Sequence, residues 1–311
     1  MNTTHIIEQF PIQILELLTG KLLGDGNLTN ETAKRPRLRF SHSIKDFGWC
    51  FHCYEQLSHN LPLTPPVYRK LSDTRIAAGY SEQYYVQSKT SLIFDHLKPL
   101  WYKERKKVLP FDLIKKTLTP LALAWWYQDD GHLKIKDSTP QKIILSTDSF
   151  DPAENIFLKK ILLDLFNLKF NTDGQNRLIL YDQKQIFSFL RIVRPYIHES
   201  MLRKTIHSQH KQPFFETSKR TTIYLPASLR IIKPTEEIHG ALEKLIYLSS
   251  DKILHIYSDF HRTFVDVEKV NKKGYQVMIN NKHLQLFHRL KVETGFNMSE
   301  VVSLAFILKP L

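Results

Sequence analysis

The chain has 311 residues, 42% of them hydrophobic, and a formal net charge of +13. No apolar run reaches the roughly 18 residues of a membrane helix, and two cysteines, Cys50 and Cys53, are too few for a disulfide scaffold. These features point away from a membrane span or a stapled secreted domain, and an excess of Lys and Arg this large points to a polyanionic partner. The opening MNTTHIIEQF lacks a basic stretch followed by an apolar one, so no signal peptide is expected and an intracellular setting, cytoplasmic or organellar, is.

In chain order, the first informative helix lies in Leu17–Leu28, LLTGKLLGDGNL, and a second copy of its plan lies in Leu121–Leu133, LALAWWYQDDGHL. Each places apolar residues at i and i+4 and an Asp at i+7: Leu18, Leu22 and Asp25 in one, Leu123, Tyr127 and Asp130 in the other. That spacing sets the Asp at the foot of an apolar helical face. Gly26 and Gly131 are expected to end the two helices as C′ glycines. After the first copy come a strand at Arg37–Ser41, a helix around Phe47–Leu57, β-like runs at Val67–Leu71 and Gln83–Gln87, and a helix at Ile93–Pro99. After the second come a strand at Lys142–Thr147, a helix at Asp151–Phe166 capped by Asp151, a strand at Arg177–Tyr181 and a helix at Ile186–Pro195. The related pieces IFDHLKPLWY and IFSFLRIVRPYI mark a duplication, each half reading helix–strand–helix–strand–helix with further strands unplaced.

The halves are therefore residues 1–102 and 118–212. A connection at 103–117 joins them, made basic by Lys103, Arg105, Lys106 and Lys107. Thr119 and Pro120 read as the N-cap and first residue of the second motif helix. Residues 213–311 form a separate module. It has an alternating strand at Thr221–Leu225, a helix at Thr235–Leu248, an ambiguous stretch at Asp251–Val270, a strand at Tyr275–Ile279, a helix at Lys282–Thr294, a turn at Gly295 and a helix at about Met298–Leu308.

If the two motif helices pack side by side, with Gly20 and Ala124 permitting close approach, Asp25 and Asp130 finish at one edge of the pair. There they meet each other's charge and the negative ends of both helix dipoles, so each favours the neutral form unless a cation lies between them. A hard divalent ion with oxygen ligands resolves the conflict, and Mg²⁺ is the natural candidate, with Mn²⁺ or Ca²⁺ able to substitute in binding. Such an ion beside a phosphodiester makes a hydrolytic centre.

The segments Leu18–Gly26, LTGKLLGDG, and Leu123–Gly131, LAWWYQDDG, resemble the two motif copies of a single-chain LAGLIDADG homing endonuclease, with Leu118–Gly131 and Leu145–Phe150 matching that monomeric branch around the second copy. The resemblance covers about residues 10–210. It implies an α+β fold of two pseudo-symmetric αββαββα half-domains, whose sheets form a saddle over the DNA major groove, with a small C-terminal α/β appendage. It implies Asp25 and Asp130 as catalytic metal ligands, with backbone carbonyls of Gly24 and Asp129 beside them. Lys107, in KKVLP, and Lys204, in MLRK, are the implied lysines that polarise solvent or neutralise phosphate charge. Two positions depart from the motif: Trp125 replaces its usual glycine and Thr19 its alanine.

The strands should meet DNA on one face by alternation, with Arg37, Arg39, His42, Arg69, Lys70, Arg75, Tyr84, Lys134, Lys136 and Arg177 as candidates. Cys50 and Cys53 form a CxxC without a second ligand pair and read as core. The segment from Tyr275 resembles a ribbon–helix–helix, and the earlier TTIYLP with its helix resembles a degenerate first copy. Two such copies in one chain can pair into a two-stranded ribbon for the major groove. The expected activity is site-specific double-strand cleavage by a monomer, with short 3′ overhangs, in intron or intein mobility. The chain begins with neither Cys nor Ser and lacks a terminal His-Asn pair, so an intron-encoded or free-standing enzyme is expected over a self-splicing one. An intron-RNA splicing cofactor (maturase) and a non-cleaving DNA-binding regulator are the alternatives.

Overall fold

The computed structural model describes residues 3–29, 31, 34–75, 77–136, 139–206, 218–248 and 271–307. The ambiguous stretch Asp251–Val270 lies outside the described residues, as do Lys211, Gln212 and Leu308 at the edges of expected elements. Contacts divide the chain into two units, residues 1–181 with 189–207, and residues 182–188 with 208–311.

After a short helix α1 (Thr3–Gln9), the chain repeats one succession of elements twice up to Val193. The first copy runs α2 (Ile12–Leu23), β1 (Asn27–Leu28), β2 (Leu38–Ser43), α3 (Phe47–Ser58), β3 (Val67–Ser72), β4 (Tyr80–Gln87) and α4 (Leu92–Trp101). The second runs α6 (Pro120–Asp130), β7 (Gly131–Lys136), β8 (Thr139–Leu145), α7 (Pro152–Phe166), β9 (Asn171–Thr172), β10 (Leu178–Leu180) and α8 (Gln183–Val193). The two antiparallel sheets have the same strand order, β1-β2-β4-β3 and β7-β8-β10-β9. Each half is thus αββαββα, and the strands left unplaced from sequence are β1, β7 and β9. The first and third are two residues long, and β7 begins on the glycine expected to be a helix cap.

Local chemistry sets these boundaries. Thr119 caps α6 by accepting from the Ala122 N–H, with Pro120 at the first helical position. Asp151 and Glu154 form a reciprocal capping box on α7, and Asn167 ends that helix in the left-handed region. The second Glu154 oxygen accepts from the Leu109 N–H at 2.7 Å, which ties the inter-half connection to the helix. That connection is structured: a hairpin of β5 (Tyr102–Lys103) and β6 (Lys106–Lys107) precedes a short helix, α5 (Phe111–Thr117).

The expectation for Gly26 and Gly131 needs correction. The residue that caps α2 is Gly24, with φ −97°, and Gly131 has φ −87°, so neither helix ends in a left-handed glycine. Space is the constraint instead. A Cβ on Gly131 would lie 2.0 Å from the Tyr127 ring, and one on Gly24 would lie 2.5 Å from the Asp129 Cβ. Helices α2 and α6 pack directly on each other. Gly20 faces the Ala122 carbonyl and the Trp125 Cβ so closely that a methyl there would sit 2.5 and 2.7 Å away. Trp125 does not force the helices apart, because its ring leaves the seam and packs edge-on against Trp49, with centroids 5.4 Å apart. Thr19 is accommodated by a buried hydroxyl pair with Thr117 at 2.8 Å. Cys50 and Cys53 are free and fully buried, as a core reading requires.

In the second unit, β11 (Lys219–Pro226) pairs antiparallel with β12 (Lys272–Ile279) over eight residue pairs. Helices α9 (Pro234–Ile246), α10 (Asn281–Thr294) and α11 (Met298–Ile307) complete its described elements. Ile223, Leu225, Tyr275, Val277 and Ile279 face a core shared with Leu242, Leu245, Phe287 and Val301. Gly295 ends α10 at φ 74°, the turn expected there. Among the described residues no helix is long and apolar enough to cross a membrane.

Candidate functional site

Helix α6 delivers Asp129 and Asp130 at its last turn, and Asp25 follows α2 in the turn before β1. Leu18, Leu22, Leu123 and Tyr127, the apolar positions above each Asp, are all buried. Around this edge stand three lysines and one histidine. The Lys107 ammonium donates to the Gly26 carbonyl at 2.8 Å. Lys204 donates to the carbonyls of Tyr127, Gln128 and Asp129, the open C-terminal end of α6, where a cation meets the negative end of the helix dipole. Burial lowers both lysines to about 8, against the opposing pull of the nearby carboxylates.

Lys21 and His42 were the less expected members. Lys21 is fully buried in the middle of a motif helix and holds both Asp129 oxygens, at 2.8 and 3.0 Å. The Asp129 side chain also accepts from Trp49 Nε1 at 2.8 Å and from the Asp25 N–H at 3.1 Å. Burial acts to lower the Lys21 pKa, but the charges of Asp129 and Asp25 outweigh it and hold the ammonium above the ordinary lysine value. His42 lies between Lys21 Nζ, 3.0 Å from its Nε2, and Asp25 Oδ2, 3.2 Å from its Nδ1.

The carboxylates are electrostatically unequal. For Asp25, burial opposes ionisation, yet the His42 contact and the charges of Lys21 and Lys204 bring its pKa below the ordinary value. Asp130 is pushed up to about 7, by burial first and then by Asp25 and Asp129, with Lys107 and Lys204 compensating only in part. Asp25, His42 and Asp129 offer ligand atoms within 4.8 Å of one another. The Lys21 ammonium already sits among them and serves as the cation of that group. The charge left uncompensated belongs to Asp130 beside Asp25, and carboxylate oxygens suit a hard divalent ion.

The DNA-contact candidates divide by strand face. Cross-strand partners share a face. Arg39 opposite Gln87, Ser41 opposite Tyr85 and Val67, and Gln83 opposite Arg69 lie on the side away from the buried Phe40–Val86 pair. Arg37 continues that side by alternation. His42, Tyr84 and Lys70 lie on the other side, so His42 and Tyr84 are corrected. His42 is buried in the carboxylate site, and Tyr84 packs on Phe47 with centroids 4.4 Å apart. Lys70 is exposed on the edge strand but faces away from Arg39, its ammonium over Tyr80. Arg75 is in the turn after β3, paired with Asp73, and Arg177 precedes β10, paired with Asp173. In the second sheet Lys134 stands opposite Lys142 on the outer face, and Lys136 is exposed beyond a bulge. Tyr85, Gln83, Gln87 and Lys142 were missed. Register against Phe40 and Val86 puts the first three on the Arg39 face, and register against Leu133 and Ile143 puts Lys142 on the Lys134 face; sequence alone did not supply either register.

The profile of the LAGLIDADG DNA endonuclease family matches residues 15–188, more than half of the chain. The chain belongs to this family. Among its relatives, the "Intron-encoded endonuclease ai4" of Dictyostelium discoideum is 34% identical over 127 residues, 40% of this chain and 77% of that protein. The "Cytochrome b mRNA maturase bI2" of Debaryomyces hansenii is 29% identical over 209 residues, 61% of this chain and 72% of that protein. The solved structure of the homing endonuclease I-WcaI bound to its DNA recognition sequence shares the fold. Its TM-score is 0.55 at 23% identity, over 65% of this chain and 90% of that one. The matched family region contains both motif helices, both sheets and the Asp25–Asp130 edge.

Proposed function

We propose that this LAGLIDADG endonuclease hydrolyses one phosphodiester in each strand of a long DNA site as a monomer, with divalent metal held at Asp25 and Asp130, in the service of intron or intein mobility. DNA endonuclease activity comes with the family; the metal, the residues and the stoichiometry are our reading. The observation that carries it is the pair of motif carboxylates at one edge of α2 and α6, where Asp130 lacks full compensation and Lys107 and Lys204 stand by. Two motifs in one chain supply both carboxylates, so one chain suffices. The carbonyls of Gly24 and Asp129 are the further oxygen ligands in our reading, and that of Asp129 also accepts from Lys204 at 3.2 Å.

When bound, the ion acidifies a water nucleophile and offsets charge on the phosphate. The chain's own residues do the rest. Asp25 and Asp130 hold the ion. Lys107 and Lys204, charged below about pH 8, neutralise charge that builds on the phosphate. The outer faces of the two sheets, with Arg37, Arg39, Arg69, Lys134 and Lys136, hold the duplex, mainly through phosphates. The test uses duplex selected by the protein from a randomised pool, with Mg²⁺ as the ion. Asp25→Asn and Asp130→Asn should each abolish double-strand cleavage and leave binding largely intact. Cleavage by either variant at the wild-type rate overturns the assignment.

The similarity to a protein named a maturase supports a second reading, in which the same basic surfaces bind intron RNA. Splicing assistance that survives both Asp substitutions would favour it. The C-terminal unit adds a further DNA contact in our reading. Arg220, Thr222, Tyr224, Gln276 and Met278 share the outward face of the β11–β12 ribbon, flanked by Lys219, Lys272 and Lys273. The ribbon contains no acidic residue, and a two-stranded ribbon fits the major groove.

A further inference from the structure

The two motif copies are not chemically equivalent, and the difference is concentrated on one side chain. Cross-strand register aligns the halves. Asn27, two residues after Asp25, pairs with Arg39, and His132, two residues after Asp130, pairs with Ile144. His42 is three residues past Arg39, so its counterpart is Thr147, three past Ile144. Thr147 is buried, but its hydroxyl is used in the second half's own backbone: it donates to the Asn176 carbonyl at 3.1 Å and accepts from the Leu178 N–H at 3.2 Å. Lys21, which contacts His42, has Trp126 as its motif counterpart, and Trp126 has no charge to offer.

The hydrogen bonds around His42 have a direction. A lysine ammonium only donates, so His42 Nε2 accepts from Lys21, 3.0 Å away. A ring carrying one proton then has it on Nδ1, facing Asp25 Oδ2 at 3.2 Å. Lys21 is itself fixed by both oxygens of Asp129, and Asp129 is fixed by Trp49 Nε1 and the Asp25 N–H. The chain of contacts starts and ends on Asp25, holding its backbone through Asp129 and its carboxylate through His42. The groups facing His42 are Lys21, Asp25 and Asp129, with the Phe40 ring alongside.

We infer that His42 is a positioning residue that orients the Asp25 carboxylate, and that the closed Lys21–His42–Asp25–Asp129 circuit makes the two strand cuts unequal, one depending on His42 and the other not. The inference rests on Asp25 and Asp130 as the carboxylates that serve cleavage.

The experiment measures each strand's cleavage rate in Mg²⁺, on end-labelled duplex selected by the wild-type protein from a randomised pool. Asparagine places an amide nitrogen where Nδ1 stands, and glutamine places one near Nε2. His42→Gln should slow one strand by about tenfold relative to the other and accumulate nicked duplex, whereas His42→Asn should restore the ratio to within about twofold of wild type. Both variants keep a polar amide in the pocket, and their melting temperatures show whether each is folded. Equal slowing of both strands by a folded His42→Gln, or an unchanged strand ratio, overturns the inference. Asp25→Asn in the same assay separates the two levels: if it still cuts both strands, the carboxylate assignment fails. If it is inactive while His42→Gln keeps the wild-type ratio, the positioning role alone fails.

Discussion

Asp130 is half-buried beside two other carboxylates, and its elevated pKa of about 7 is a statement about stability. Between the unfolded value near 4 and the folded value, the native state holds more protons than the unfolded chain, so stability falls as pH rises through that window. Lys107 and Lys204 act in the opposite sense, but only at higher pH. Their folded pKa of about 8 lies below the unfolded value, so the native state gains stability as pH rises between the two. His52, lowered by burial to about 4, acts against Asp130 between about pH 4 and 6.5. The Asp130 contribution is therefore read as a difference: in metal-free buffer the melting temperature of the wild type relative to that of Asp130→Asn should fall from about pH 5 to about pH 7.5. A difference that does not change with pH would refute the elevated value. Lys21 makes a separate case, because neither its side chain nor that of Asp129 is exposed to solvent. Removing one partner leaves a buried charge, and Lys21→Met should cost about 3–5 kcal/mol by urea unfolding. The double variant Lys21→Met/Asp129→Asn should cost less than the sum of the two singles, because the charges are lost together.

At the level of elements, the close passage of α2 and α6 depends on Gly20. Gly20→Ala would place a methyl 2.5 Å from the Ala122 carbonyl oxygen, which belongs to backbone and cannot swing aside. Overpacking of this kind should cost about 1–3 kcal/mol in urea unfolding, and in our reading of the site it should also slow cleavage by shifting Asp25 relative to Asp130. These two helices were legible in the sequence because apolar periodicity and an acidic end coincide in both copies, and a capping Thr-Pro marks the start of the second. The repeated succession of elements followed from the duplication, while the short β1 and β9 carry too few residues for periodicity to register. The Lys21–Asp129 pair left a signal that was not used: a lysine inside an apolar motif helix and a second Asp at the foot of the other. Each looks like a local irregularity, and only packing shows that each copy contributes one charge of a single ion pair. His42 was assigned to the DNA face because its strand was identified but its register was not. A one-residue change in register exchanges the two faces of a strand.

Across the whole molecule, the charge of +13 is spread over 44 Lys and Arg against 31 Asp and Glu, and this excess governs how binding responds to salt. Each phosphate contact by a cation releases condensed counterions, so log affinity falls linearly with log salt, with a slope of about −0.9 per contact. The same law tests whether the C-terminal ribbon touches DNA. Arg220 and Lys272 lie on the outward face of the ribbon and are exposed. Substituting both by Ala in the full-length chain should reduce the salt slope by about 2 if the ribbon lies on the duplex, with the Mg²⁺-dependent cleavage rate at saturating protein nearly unchanged. A base-reading contact behaves differently. Gln276→Ala should alter preference at a few positions of the selected site while leaving the slope alone, because an amide side chain carries no charge to exchange for counterions. If the double substitution leaves both the slope and the selected site unchanged, the ribbon is not part of the DNA interface, and specificity then rests on the two four-stranded sheets.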